Sequence, residues 1–214
     1  MILAAAVLLG FAAGLARSLI GRRPIQIPPL RHPWLVLLAF LPQWISFYLL
    51  RTRDGVPDTW APLILVSTQV LLLVFSWLNI KQSGIWILGL GLFLNILVIV
   101  LNEGLMPISP DTVRVLYPLV PESHWQVGER LGNGKDVVLL IEQTRLWFLS
   151  DQFLLPGWFR YPMAYSLGDV FIAIGALWMM WTTGAPARQK RVRVSAAIGK
   201  NTAEAAGIIS SFDL

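Results

Sequence analysis

Residues 84–101 read GIWILGLGLFLNILVIVL, a run of 18 residues without a single charged side chain. A helix of this length rises about 27 Å, which approaches the roughly 30 Å of a bilayer's hydrocarbon core. Apolar runs of this length are typical of transmembrane helices. The stretch therefore predicts a helix that crosses a membrane.

Four further stretches have the same character. The five predicted spans cover residues 2–20, 34–50, 61–80, 84–101 and 165–183. The first has no basic segment before it, and Arg17, Arg22 and Arg23 follow its apolar part, which favours an uncleaved span over a signal peptide. We expect an all-α membrane domain over residues 1–183, followed by a basic cytoplasmic tail at 184–214.

The composition supports this class. Hydrophobic residues make up 56% of the 214 residues, charged residues only 14%, and the mean hydropathy is +0.64. Soluble domains contain about 25% charged residues, so soluble, disordered and fibrous classes are excluded. The chain has no cysteine, which excludes disulfides, thiol catalysis and cysteine-ligated metal sites.

The basic residues predict the orientation. With the N-terminus outside, the inner segments 17–33, 81–83 and 184–214 hold ten of the 17 Lys and Arg residues. The outer segments 51–60 and 102–164 hold seven, together with nine acidic residues. Since basic residues concentrate on the cytoplasmic side, the pattern indicates an N-out, C-in protein of the bacterial inner membrane.

Two spans contain features with structural consequences. Ala6, Gly10, Gly14 and Ser18 recur every four residues, so span 1 has a face of small side chains suited to close contact with another helix. Pro42 removes a backbone donor and predicts a kink in span 2.

The outer segment 102–164 is too long for a simple connection. Ser109 and Pro110 predict the N-cap and first residue of a short helix that reaches about Tyr117. A turn is expected at 132–134. The apolar but charge-interrupted stretch 137–155 is interpreted as a helix lying in the outer membrane interface, with Trp147, Phe148 and Trp158 inserted in the membrane.

Tryptophans mark the predicted span ends, where such rings anchor helices in the headgroup layer. They are Trp34, Trp60, Trp77, Trp86, Trp178 and Trp181. A role in stacking pigment or quinone stays the alternative.

Polar residues inside the spans are candidate functional residues because they are costly to place there. Asp169 has two interpretations, a structural bond to the preceding turn or a neighbouring arginine, or proton and ion handling. Asn95 and Asn102 lie seven residues apart on one helix face and are expected to bridge helices. Gly104 and Pro107 then end the helix.

No catalytic or cofactor pattern is found in the sequence. The two histidines, His32 and His124, fall on opposite sides of the predicted membrane, and no histidine lies inside a span to bind haem. Ser123, His124 and Asp111 form too loose a set for a triad. We therefore expect no enzyme activity, no metal and no intrinsic cofactor, while lipid, quinone or pigment at the interfaces stays open.

The C-terminal tail carries a basic run without aromatic residues, formed by Arg188, Lys190, Arg191 and Arg193. Its expected partners are anionic lipid headgroups and other membrane subunits, with no nucleic acid. An apolar end at 205–209 would need a protein groove.

Three motifs carry a resemblance to a known family. They are Asn102-x-Gly104-x-Met106-Pro107, then 144–151 (TRLWFLSD), then 166–170 (SLGDV). In this order they resemble small multi-pass bacterial membrane proteins grouped under a domain of unknown function, over residues 1–182. Family members usually have glycine where this chain has Glu103 and Ser150. The resemblance implies a five-span fold and no activity.

Two function classes follow. The first is a non-catalytic accessory subunit of a larger membrane complex, with a photosynthetic or respiratory electron-transfer complex as its most specific form. The second is a small transporter or channel that uses Asp169, Asn95 and Asn102. A lipid-modifying enzyme has less support.

Overall fold

The structure is a computed structural model that describes residues 2–20, 29–49, 56–155 and 162–182. For residues 2–6 and 48 it describes the backbone alone. Within these ranges the α-helices are α1 (Ile2–Ile20), α2 (Trp34–Trp44), α3 (Ala61–Leu78), α4 (Ile85–Leu101), α5 (Pro110–Leu116) and α6 (Leu167–Thr182). The strands are β1 (Met106–Ile108), β2 (Asp136–Val138), β3 (Phe153–Leu154) and β4 (Ala164–Tyr165).

The chain is mostly helical, and each of the five apolar stretches forms a helix. By length and composition α3 alone among the described helices is sufficient to cross a membrane, with 18 residues and a mean hydropathy of 2.0. The helices α4 and α6 have 17 and 16 residues, at and just below the lower limit of about 17 for a span.

The second helix changes its hydrogen bonding after Pro42. The α-helical part ends at Trp44, and a π-helical turn, Ile45–Leu49, continues it. Proline has no N–H to donate, so the regular ladder is interrupted at this point, and single π-helical turns are found where such interruptions occur. The kink itself stays a prediction.

The long helices contact one another in the order α1, α6, α4, α3, α2. Gly10 of α1 contacts α6 closely, because a Cβ there would lie 2.9 Å from both Leu177 Cα and Met180 Cβ. Gly14 and Ser18 are also buried. The small face of α1 therefore packs within this chain.

Residues between α4 and α6 form a layer of short strands and turns over the ends of these helices, which we call the outer layer after its position in the fold. The strands β1 and β2 pair in parallel, with Met106 opposite Asp136 and Ile108 opposite Val138. The short strands β3 and β4 pair antiparallel. A cluster of buried residues that includes Val98, Met106 and Val137 joins the outer layer to the helices.

Two local predictions in this layer are confirmed. Ser109 Oγ accepts a hydrogen bond from the Thr112 N–H at 3.2 Å and caps α5, which begins at Pro110. The turn at 132–134 closes with a bond from the Gly134 N–H to Leu131 O at 3.1 Å.

The predicted interfacial helix at 137–155 is wrong. This stretch contains β2, two short 3-10 turns and β3 instead. Val137 and Val138 are β-branched and pair with the buried β1, which outweighs the weak helical pattern. Leu146 adopts a left-handed backbone with φ of 54°, which no continuous right-handed helix can contain. Trp158, predicted to insert in the membrane, lies outside the described residues.

Candidate functional site

The start of α6 is fixed by a capping box between Ser166 and Asp169. Ser166 Oγ accepts a hydrogen bond from the Asp169 N–H at 3.1 Å, and Asp169 Oδ2 accepts one from the Ser166 N–H at 3.2 Å. Each bond satisfies a backbone donor that a helix start leaves without a partner. Of the two interpretations of Asp169, these bonds match the structural one, in which its carboxylate bonds to the turn that precedes α6.

Asn95 of α4 joins this capping box across the helix interface. Its Nδ2 donates to Asp169 Oδ1 at 2.9 Å, and its Oδ1 accepts from Ser166 Oγ at 2.8 Å. Ser166 is fully buried and Asn95 nearly so. Interhelical bonds of this kind contribute about 1 kcal/mol each in membrane proteins. The three residues form a polar link between α4 and α6, which we call the α4–α6 link.

Glycine at position 168 makes the link sterically feasible. A Cβ there would collide with Asn95 Oδ1 and would lie 2.8 Å from Gly91 O. The two helices therefore approach through glycine backbone at the same level as their polar bonds. The sequence analysis missed this second small-residue interface, although the spacing of glycines in α4 and α6 could have indicated it.

Asn102 lies on the same face of α4 but bonds to a different element. Its Nδ2 donates to Arg145 O at 2.9 Å and to Val98 O at 2.7 Å, and its Oδ1 accepts from the Arg145 N–H at 3.0 Å. One side-chain amide thereby replaces a peptide group in pairing with the backbone of residue 145. Asn102 ties the end of α4 to the outer layer, whereas Asn95 ties α4 to α6.

The helix stop that follows Asn102 contains a strained residue. Glu103 has a φ of 61° and Gly104 a φ of 83°, and the Gly104 N–H donates to Ile99 O at 2.9 Å. This is the pattern of a Schellman motif, whose left-handed position is usually glycine. Glu103 is exposed, so its side chain offers little packing to offset the strain.

Replacing Glu103 by glycine is expected to stabilise the protein by about 1 kcal/mol, because a left-handed backbone costs a non-glycine residue about that much. Thermal unfolding of the detergent-solubilised protein measures the effect. Gly104→Ala is the matched control and should destabilise, since its Cβ would lie 2.6 Å from Pro62 Cβ. A lower stability of Glu103→Gly would mean that the glutamate makes a stabilising contact of its own.

An equivalent arrangement occurs at the end of α3. Asn79 Nδ2 donates to Arg31 O at 2.9 Å, and Asn79 Oδ1 accepts from the Arg31 N–H at 2.7 Å. Asn79 therefore holds the segment that leads into α2, as Asn102 holds the outer layer. The sequence analysis missed Asn79, and the polar residue at the end of an apolar helix was the signal for it.

A partly buried ion cluster lies in the outer layer beside α6, with Asp151 buried and the Lys135 side chain 38% exposed. Lys135 Nζ donates to Asp151 Oδ2 at 2.6 Å and to Asp136 Oδ1 at 2.7 Å. Asp151 is 3% exposed, and its N–H donates to Pro107 O at 3.1 Å. Asp151 Oδ1 is buried and has no hydrogen-bond partner among the described residues. Lys135 thus bonds to two carboxylates, and in Asp151 one of the two carboxylate oxygens has a hydrogen bond while the other has none among the described residues.

The environment changes the pKa values of this pair. Burial raises the pKa of Asp151 to about 7, and the charges of Asp136 and Asp169 add to the increase while Lys135 opposes it. Burial alone would lower the pKa of Lys135, but the neighbouring carboxylates outweigh it and hold that pKa well above its usual value. The lysine stays charged near neutral pH, and Asp151 is the group that titrates.

Arg130 holds a second part of the outer layer. Its guanidinium, almost fully buried, donates to Gly134 O at 2.5 Å, to Val56 O at 2.7 Å and to Asn133 O at 2.8 Å. It also pairs with Asp58 at 3.1 Å. Arginine supplies several donors in one plane, which suits a buried position that joins separate loops.

An open groove of about 360 Å³ lies on the outer layer between α5 and the 3-10 turn Ile141–Gln143. Trp125, Leu140 and Ile141 form its apolar part. Arg114 bonds to Asp111 and Glu122, both at 2.6 Å.

The structure does not arrange Ser123, His124 and Asp111 as a catalytic triad. Asp111 is bonded to Arg114, and Ser123 Oγ lies 3.5 Å from Nδ1 of the adjacent His124 on an exposed turn. Within the described ranges, no group of three or more His, Cys, Asp or Glu side chains is placed to hold a metal ion.

A family model described as a family of unknown function, DUF5317, matches residues 28–181, well over half of the chain. The chain belongs to the DUF5317 family. No curated protein and no solved structure matches it. The DUF5317 match begins after α1, so α1, which packs on α6, lies outside the matched region.

Some predicted site residues lie beyond what the structure describes. The side chain of Ala6 is one of them. So is the whole basic tail with Arg188, Lys190, Arg191 and Arg193, and the predicted tail contacts stay predictions.

Proposed function

We propose that this chain is a five-span protein of the bacterial inner membrane, N-terminus outside and C-terminus inside, that serves as a non-catalytic accessory subunit of a larger membrane assembly. The observation behind this proposal is what the polar side chains of the proposed spans bind. Asn95, Asn102 and Asp169 all bond within the chain and join α4 to α6 and to the outer layer. Such bonds support a structural role.

The helix surfaces support embedding in lipid. Every long helix exposes large apolar side chains, among them Leu8, Leu37, Leu63, Phe93 and Ile174. Soluble monomers rarely expose so much contiguous apolar surface, whereas lipid tails or membrane partners cover it. Helices of 16 or 17 residues span a bilayer when the bilayer thins or interfacial anchors extend them.

The tryptophans agree with the proposed span ends. Exposed tryptophans lie near the helix ends that are proposed to face the inner side, at Trp34, Trp77, Trp86, Trp178 and Trp181, and Trp60 is exposed at the proposed outer start of α3. Rings in these positions fit a belt at each headgroup layer. The proposed partners are membrane lipids and other subunits. Lipid, quinone or pigment could then bind where this chain meets its neighbours.

A transporter or channel built on Asp169, Asn95 and Asn102 has less support. Residues that conduct ions or protons usually face a water-filled cavity. Here the amides of Asn95 and Asn102 are almost fully buried, and both bond across elements. Opening a path at these positions would break the bonds that hold the helices together.

Reporter fusions test the orientation first. Fusions after Gly55 and Gly134 should report the outer side, and fusions after Ser83 and Gly199 the inner side. A Gly134 fusion that reports the cytoplasm would overturn the proposed topology.

Purification of the tagged protein from its native membranes in mild detergent tests the assembly. The expected result is co-migration with other membrane subunits in fixed proportion, and haem or pigment in those subunits would support the electron-transfer form of the proposal. A lone monomer that conducts ions in vesicles would overturn the accessory role and support the alternative.

A further inference from the structure

The groove on the outer layer combines an apolar floor with an acidic rim. Trp125 is half-buried, and Leu140 and Ile141 are 40% and 47% exposed. Two of the rim acids, Asp111 and Glu122, share the single cation Arg114. Glu142, the third acid, is exposed and makes no ion pair with any described residue. The groove therefore has an excess of negative charge beside uncovered apolar surface.

The rest of the outer layer has the same sign. Its described residues, 56–60, 102–155 and 162–166, carry eight acidic and four basic side chains. Three of the four basic ones, Arg114, Arg130 and Lys135, are already paired with acids of this chain. A partner that approaches this surface meets a negative field with few cations free to reverse it, which favours a positively charged partner.

The size of the groove and its apolar floor indicate which kind of side chain fits it. Its volume of about 360 Å³ lies near the lower end of the range for ligand sites, roughly 300 to 1,000 Å³. Lysine and arginine side chains bury an aliphatic stem against apolar surface and keep the charged end in water. A stem placed along Leu140 and Ile141 would bring the charged end to Glu142. The Trp125 ring adds apolar surface to the floor, and its cation–π partner is Arg114 of this chain, 5.9 Å from the ring centroid.

We propose that this groove docks a basic segment of a partner protein, with a lysine or arginine side chain on the floor formed by Trp125, Leu140 and Ile141 and its charge at Glu142. The proposal rests on the proposed function, because it identifies where a neighbouring subunit contacts the outer layer. A partner protein is favoured over a free cation, since the groove is open and its exposed apolar floor resembles the core of an interface.

The first experiment tests the groove on the purified full-length protein. The probe is the labelled peptide acetyl-Leu-Arg-Leu-Arg-Leu-amide in non-ionic detergent, measured by fluorescence anisotropy. Glu142→Lys is expected to weaken binding at least tenfold, and added salt should weaken binding to the wild type. Glu129→Lys is the matched control, because Glu129 is an exposed acid of the same layer outside the groove. Equal affinities of the two variants would overturn the proposal.

The second experiment separates this inference from the proposed function. A photo-crosslinking amino acid at position 141 in native membranes should attach to a basic segment of a subunit that co-purifies, with less product in Glu142→Lys. If the protein co-purifies with subunits but the crosslink lies in an acidic or wholly apolar segment, the groove proposal fails and the accessory role stands. If nothing co-purifies, the accessory role fails, and the peptide comparison still decides the chemistry of the groove.

Discussion

Replacing Gly175 by leucine is expected to separate α4 from α6 and to leave little folded protein. A Cβ at this position would lie 2.7 Å from Gly84 O and 2.8 Å from Leu88 Cα, and closer still to Leu88 N. All three atoms belong to the backbone, so no side chain can rotate away, and the helices must move apart. Overpacked contacts cost about 1–3 kcal/mol where side chains can adjust, and a backbone clash should exceed that range.

The movement would also strain the α4–α6 link, which depends on the same close approach. Asn95 reaches Asp169 and Ser166 only while the glycine surfaces touch. The expected readout is a collapse of the monodisperse peak in size-exclusion chromatography, together with a large drop in thermal stability. Gly175→Ala should show a milder form of the same defect.

Ile174→Phe is the matched control for this experiment. Ile174 is the preceding residue of α6 and is 48% exposed, so added bulk there meets no backbone. This variant should behave as the wild type. If Gly175→Leu is equally stable, the contact between α4 and α6 must be looser than the backbone geometry indicates.

The helices could be predicted from the sequence because their signal is local. The apolar run at 84–101 lies within one residue of α4, and Ser109 with Pro110 gave the start of α5. Each rests on the residue types of one short stretch, since propensity and capping need no knowledge of distant partners.

The outer layer depended on contacts that a local pattern does not contain. Met106 pairs with Asp136 across 30 positions, and Lys135 meets Asp151 across 16. At 137–155 the charged residues were interpreted as obstacles to membrane insertion. Asp151 is in fact buried beside Lys135, and the hydrophobic periodicity of a sequence does not predict such a pair. The partners of Asn79 and Asn102 could not be predicted either, because these side chains bond to backbone atoms 48 and 43 residues away.

The candidate site was recognised in part. Asp169, Asn95 and Asn102 stand out as polar residues in apolar stretches, and they do bond across elements. Their division into two separate links, one between helices and one to the outer layer, depends on the fold. The groove gave no sequence signal, because its walls come from residues 109–114, 122–127 and 140–142, which only the folded layer brings together.

Stability should fall as the pH rises from 5 to 8, and Asp151 should be the cause. Its pKa is about 7 in the folded protein and near 3.9 when the chain is unfolded, so between these values the folded state holds a proton that the unfolded state has lost. Such a group stabilises the fold below its unfolded pKa, and the benefit disappears as the pH passes its folded pKa. From pH 5 to 7 the loss is about 2 kcal/mol, with little further change above.

Asp151→Asn should flatten this dependence. The amide oxygen can still accept the bond from Lys135, and the neutral group resembles the protonated acid, so burial no longer penalises a charge. Thermal unfolding followed by tryptophan fluorescence at pH 5 to 8 measures both proteins. The variant should match the wild type at pH 5 and exceed it at pH 8.

Two further variants identify the groups that control the titration. Asp136→Asn removes a carboxylate that raises the pKa of Asp151, so the fall in stability should move to lower pH. Asp58→Asn removes an acid of the outer layer that is 82% exposed and pairs with Arg130 instead, and it should leave the pH profile unchanged. A wild-type pH slope that persists in Asp151→Asn would assign the titration to another group. The Lys135–Asp151 pair would then be charged throughout the range, with the attraction of the lysine outweighing the cost of burial.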